Sequence, residues 1–197
     1  QNADVKNTAI GGLAGDAITT STGNTFVGYT AGSSMNVTGN GDYSTAVGHA
    51  AFDTGTGGHN VCVGADAGGG AFTGANNVLL GSSAGLALTD GPGNVLIGRS
   101  AGAAMTTSDY NIAIGYLAAD GLVADAVHNI AIGANALGGT AGATTGNIAI
   151  GRNTLLVQDT AASINLAIGY DAGVAITSGT EHVLIGHEAG STLVGNS

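Results

Sequence analysis

Proline occurs once, cysteine once and tryptophan not at all in this chain of 197 residues. A single cysteine, Cys62, rules out a disulfide framework within the chain. Its place in the pattern below is that of a small buried hydrophobe. Lysine and arginine number only 3, against 13 acidic residues, for a formal net charge of -10. Nucleic acid and anionic membrane surfaces both call for a basic surface, so neither is an expected partner. No apolar run approaches the roughly 20 residues needed to span a bilayer as a helix. Aromatic residues make up 4% and charged residues 8%, while glycine is abundant at 37 positions, which is poor material for helices or a conventional globular core. A hydrophobic content of 44% argues equally against disorder.

What the sequence has in place of these is a repeat. Asn94-Val95-Leu96-Ile97-Gly98-Arg99-Ser100-Ala101-Gly102 recurs, with changes, eleven times, anchored on Gly11, Gly28, Gly48, Gly64, Gly81, Gly98, Gly115, Gly133, Gly151, Gly169 and Gly186. Successive anchors lie 16 to 20 residues apart, mostly 17 or 18. A fixed period of this length signals a solenoid in which each repeat is one coil. Asn opens nine copies, with Ser44 and His182 in the other two. Two branched or aliphatic positions then flank a central one, as in Ile130-Ala131-Ile132, before the glycine. That period of two, rich in β-branched residues, predicts a short strand, and the glycine ends it at a sharp turn.

The central residue is never polar, so the strand is apolar on both faces, as strands covered on both sides are. One face fills the coil; the other needs a cover, for which the simplest candidate is another copy of the chain in a closed, symmetric oligomer. Alternation alone does not say which face turns inward. Three residues after each glycine a small residue recurs, from Ala14 to Ala189. Seven after it an apolar residue is usual (Ile18, Met35, Ala71, Leu88, Met105, Leu122, Ile176, Leu193), which predicts a second short strand on each coil. The remaining arc, rich in Thr, Ser, Gly and Asp, varies in length and takes up the insertions.

The units Asn111-Ile112-Ala113-Ile114-Gly115 and Asn129-Ile130-Ala131-Ile132-Gly133 resemble the head repeats of trimeric autotransporter adhesins. Asn24-Thr25-Phe26-Val27-Gly28-Tyr29-Thr30-Ala31-Gly32 is closer still to the repeat arrays of bacteriophage tail fibre proteins. The resemblance covers nearly the whole chain. It implies a homotrimer of parallel, left-handed β-rolls forming a stiff fibre. Such a fibre sits on a virion or a bacterial cell surface and supports attachment to a host. The expectation is thus an all-β parallel solenoid of eleven coils, with residues 1–197 as one domain within a longer fibre protein, and with no catalysis, cofactor or metal.

The column just after the glycine holds the candidate ligand contacts Tyr29, His49, Arg99, Tyr116, Arg152, Tyr170 and His187. Aromatic and arginine side chains at stacked positions suit sugar faces and hydroxyls, which points to a host cell-surface glycan. The plainer reading is a corner column that covers the seam between coils. Carboxylates at two columns, Asp66, Asp171 and Glu188 in one and Asp16, Asp53 and Asp120 in the other, are mostly several coils apart. They do not pair as glycoside cleavage requires. His182, His187 and Glu188 fit no standard zinc spacing. Asn36-Val37-Thr38 is a glycosylation sequon.

Two other solenoid functions compete. An ice-binding face needs regular threonine rows, and Thr19, Thr56, Thr89, Thr106 and Thr177 share a column but skip coils. An acyltransferase of the left-handed β-helix type needs a catalytic histidine and a loop that leaves the coil, which spacings of 16 to 20 do not provide.

Overall fold

The computed structural model describes residues 6–34, 42–139, 143–157 and 163–193. Each repeat contributes one three-residue strand: β1 (Thr8–Ile10), β2 (Thr25–Val27), β3 (Thr45–Val47), β4 (Val61–Val63), β5 (Val78–Leu80), β6 (Val95–Ile97), β7 (Ile112–Ile114), β8 (Ile130–Ile132), β9 (Ile148–Ile150), β10 (Leu166–Ile168) and β11 (Val183–Ile185). They form one parallel sheet in sequence order, with each strand in register with the next, as in Ala113 opposite Ala131. The fold is therefore a parallel β-solenoid with one coil per repeat. Among the described residues there is no helix long and apolar enough to cross a membrane.

Two columns explain why the coils stack so closely. At Gly115, with φ at +141°, an added Cβ would stand 2.6 Å from the carbonyl oxygen of Gly133 in the next coil. Both the backbone angle and the close approach exclude any side chain there. Beside this column the asparagines form a buried ladder. The backbone N–H of Asn94 donates to Asn77 Oδ1 at 2.7 Å, and Asn94 Nδ2 donates to the same oxygen at 3.1 Å. Asn94 Nδ2 also donates to the Ser108 carbonyl at 2.8 Å, so one amide serves its own coil and the two beside it. Ser44 keeps the backbone part of this pattern, its Oγ accepting the Asn60 N–H at 3.2 Å. It has no amide to contribute, so Asn24 Oδ1 accepts the Ser44 N–H at 2.7 Å without the second, amide donor. Asn24 Nδ2 is itself buried with no partner among the described residues. His182 ends the ladder with its N–H on Asn165 Oδ1 at 3.1 Å.

The central strand residues turn inward: Phe26, Ala46, Cys62, Leu79, Leu96, Ala113, Ala131, Ala149 and Ala167 are all fully buried inside one chain. The small column joins them, from Ala31 to Ala172. Cys62 is thus an interior residue, and burial pushes its thiol up to about 12, so it stays protonated and unreactive at neutral pH.

The second strand is not formed. The seventh position lies in irregular backbone just past the turn, and most of the apolar residues there serve as core filling instead. Leu88, Met105, Leu122 and Ile176 are fully buried, while Ala71 is exposed and its neighbour Phe72 takes the interior place. Met35, like the sequon at 36–38, lies outside the described residues. Where the seventh residue is not apolar, the fourth residue after the glycine fills the coil: Phe52, Leu137 and Leu155, all buried, with φ of 52°, 52° and 48°. Where the seventh is large, the fourth is usually glycine. A Cβ on Gly102 would stand 2.9 Å from the sulfur of Met105. Each such coil therefore has a large side chain at one of two alternative positions, in addition to its central strand residue, and the two positions substitute for each other in filling the interior.

Candidate functional site

With the central residues inside, the flanking rows face out. One runs from Thr8 through Val95 to Val183, the other from Ile10 through Ile97 to Ile185. Most are half-buried by their neighbours above and below, and the end coils are more open, with Ile185 at 65% exposure. Ten steps of about 4.8 Å give a strip roughly 48 Å long, with the two rows about 7 Å apart. A contiguous, mostly aliphatic strip of this kind is a candidate interaction surface.

Aromatic columns border this strip on both edges. The post-glycine edge carries the residues singled out above, grouped into three stacks rather than one site. Tyr29 and His49 stack with centroids 5.8 Å apart. The Arg99 guanidinium lies 5.5 Å from the Tyr116 ring centroid. Arg152 sits at the same 5.5 Å over Tyr170, with Nη1 donating to the Tyr170 hydroxyl at 2.9 Å, and His187 stacks on that ring at 5.4 Å. His49 and His187 each have a carboxylate at 3.8 Å, Asp66 and Glu188 respectively.

The opposite edge, one residue before the Asn ladder, escaped the sequence reading. Here Tyr43 stacks on His59 at 5.3 Å and Tyr110 on His128 at 5.6 Å. Together the two edges hold all five tyrosines and four of the five histidines. The column mixes these rings with Gly23, Asn76, Gly146, Ile164 and Glu181, so residue type gives no signal. What its members share is positive φ, as at Tyr43 (57°) and His128 (59°).

The stacking decides what these rings can offer. Each leans back over the preceding coil: a Cβ on Gly23 would meet Tyr43 at 2.6 Å, one on Gly93 would meet Tyr110 at 2.5 Å, and one on Gly12 would meet Tyr29 at 3.3 Å. For Tyr29, Tyr43, Tyr110 and Tyr170 the other ring face carries the histidine of the following coil, whereas Tyr116 has Ala134 at that place. At those four tyrosines ligands therefore find ring edges, hydroxyls, imidazoles and guanidinium groups, rather than open faces for a sugar to stack upon.

The Tyr43 and Tyr110 stacks are copies of one constellation. In each, an Asp precedes the Tyr, and its carbonyl accepts the N–H of the stacked histidine: His59 to Asp42 at 2.9 Å and His128 to Asp109 at 3.3 Å. They differ in what lies below the carboxylate. Asp42 Oδ1 accepts the Thr22 N–H at 2.7 Å. At the matching place below Asp109 stands Pro92, the only proline, which has no N–H to give. Asp109 Oδ1 is accordingly inaccessible and without a partner, although the residue as a whole is only half-buried. Desolvation, then Asp90 and Asp125, raise its carboxyl above the usual 3.8, with His128 opposing them.

The sign of the effect follows from linkage. A raised native pKa contributes stability that is complete below 3.8 and is lost as pH rises through the native value. Asp109→Asn should therefore raise Tm at neutral pH, by about 1–3 °C after allowing for solvent screening, and flatten the weakly acidic part of the stability profile. Thermal melts from pH 3 to 8 would test this; an unchanged or lower neutral Tm counts against it.

Asp120 is raised by desolvation alone. Asp171 Oδ1 accepts from Asn153 Nδ2 at 2.9 Å. Asp53 accepts from the Ser33 hydroxyl. Among the described residues no three His, Cys, Asp or Glu side chains are placed to hold a metal ion. No family model, curated protein or solved structure matches this chain.

Proposed function

We propose that this chain is a structural segment of a surface fibre, a phage tail fibre or trimeric adhesin, and that it supports attachment to a host cell. On this reading the coils are left-handed and three chains associate through their outward aliphatic strips. The number three comes from the resemblance of the repeats. The need for a cover comes from the strip itself, whose double row of Thr, Val, Ile and Leu is the single observation that carries the proposal. Tyrosine and arginine along its edges suit the rim of such an interface and weak, multivalent contact with a glycan, through Tyr29, His49, Arg99, Tyr116, Arg152, Tyr170 and His187.

Ice binding is the weaker alternative. The Thr89 and Thr106 hydroxyls donate to carbonyls of the next coil, at 3.1 and 3.0 Å, rather than forming a free row.

The test is the pair Ile132→Lys and Ile150→Lys, both outward and half-buried. Sedimentation should show a trimer for the parent and a monomer for the double variant, with the same β-type circular dichroism. A monomeric parent at micromolar concentration defeats the proposal. In the same preparations, Tyr116→Ala with Tyr170→Ala should lower glycan-array binding and leave the trimer intact.

A further inference from the structure

The Asp42–Tyr43–His59 constellation opens onto a cleft of about 380 Å³, lined also by Gly57, Gly58, Thr73 and Ala75. Its origin lies in coil length. The coil from Gly28 to Gly48 spans 20 residues, the next only 16, and the one after that 17. The short middle coil supplies a glycine floor, Gly57 and Gly58, between walls from the longer coils on either side: Asp42 and Tyr43 before β3, Thr73 and Ala75 before β5.

The chemistry of the lining is one-sided. It holds a carboxylate, two hydroxyls and an imidazole, and no lysine or arginine. Asp42 Oδ1 already has the Thr22 N–H, which fixes the carboxylate and leaves its second oxygen for a ligand. Thr73 spends its proton on the Thr89 carbonyl at 3.0 Å, so toward the cleft its oxygen is an acceptor. The Tyr43 ring is held between Gly23 and His59, so it offers its edge and hydroxyl. The Tyr43 hydroxyl and the His59 imidazole can donate or accept, so the direction of preference is set by the fixed acceptors. A ligand with donors suits the Asp42 carboxylate and the Thr73 oxygen, and a positive charge is favoured by the carboxylate and by a chain of net charge -10. A primary ammonium is compact and carries three donors, and its methylene stem can lie along the ring edges and Ala75.

We propose that this cleft binds a primary ammonium group on an alkyl stem, as carried by a free diamine or by a lysine side chain. The 197-residue chain would be titrated by NMR with 1,4-diaminobutane, with Nα-acetyl-lysine amide, and with butane-1,4-diol as the uncharged control. Binding in the millimolar range is expected for at least one amine, weakening as salt is added, with shifts centred on His59 and Thr73. A diamine response alone assigns the site to small polyamines; a response to the lysine derivative assigns it to a protein side chain.

Asp42→Asn keeps an oxygen for the Thr22 N–H while removing the charge, so the coil should stay folded and affinity should fall about tenfold or more. Asp16→Asn, an exposed acid on a distant part of the coil, should leave affinity unchanged. The proposal is overturned if neither amine binds at millimolar concentration, if the diol binds as well as the diamine, or if the two Asn variants weaken binding equally. Should Asp42→Asn melt early, the comparison of amine with diol on the parent chain still decides.

Discussion

Ala131→Asp should unfold the solenoid locally and cost about 3–5 kcal/mol, a large share of the stability of a domain this size. Ala131 is fully buried, between Ala113 and Ala149 of the neighbouring coils, with no polar partner for a carboxylate. The informative control is the adjacent Ile132→Asp, which places the same charge on the outward row. It should leave circular dichroism and melting of the single chain close to the parent and act only on association. Equal loss of structure in both variants would mean that the inner and outer faces of β8 have been assigned wrongly.

That contrast also shows where the sequence stopped being informative. All eleven strands are legible, because a branched residue on either side of an apolar one, followed by glycine, recurs at each. Which face points inward is not, because Ala131 and its neighbours Ile130 and Ile132 are all apolar, and a pattern without a polar face carries no direction. The second strand expected at Leu88 and Met105 fails for a related reason. Burial there comes from filling a coil, which a residue in irregular backbone can do as well as a strand residue. The exchange between Phe52 and a residue such as Leu88 was in the sequence, but only as a correlation between two columns. The role of Pro92 required knowing which backbone N–H faces which carboxylate, and that relation spans a whole coil. The Tyr43 and Tyr110 edge was hidden because its column is defined by backbone conformation, which Gly, Asn, Tyr and His each satisfy at their own cost.

Gly115→Ala should be nearly as damaging. The new Cβ would stand 2.6 Å from the Gly133 carbonyl oxygen, at a φ of +141° that side chains rarely adopt. Strain of this kind costs about 1–3 kcal/mol, and the backbone clash adds to it, since the Gly133 carbonyl belongs to the next coil and cannot rotate away alone. Gly186→Ala separates the two terms. Its φ is +132°, but the nearest atom to an added Cβ is 4.0 Å away, at Ala189. Melting of the two variants should therefore differ by several degrees, Gly115→Ala being the lower. If they melt together, close packing of coil on coil adds nothing beyond backbone angle.

The asparagine ladder has a mechanical side. Its bonds, like those of the strands, run from coil to coil along the long axis, so a pull on the two ends loads every seam in turn with the same force. Seams in series do not add their strengths: the rod holds only as well as its weakest junction. Most junctions between coils carry an amide clasp in addition to their strand bonds. The junction where Asn24 meets Ser44 carries a partial one, with one amide group left over. The next junction is also incomplete, since Asn60 Nδ2 donates to the Gly57 and Gly74 carbonyls and not to Ser44. Tensile failure is thereby expected at the two seams that flank Ser44, near one end of the described stack.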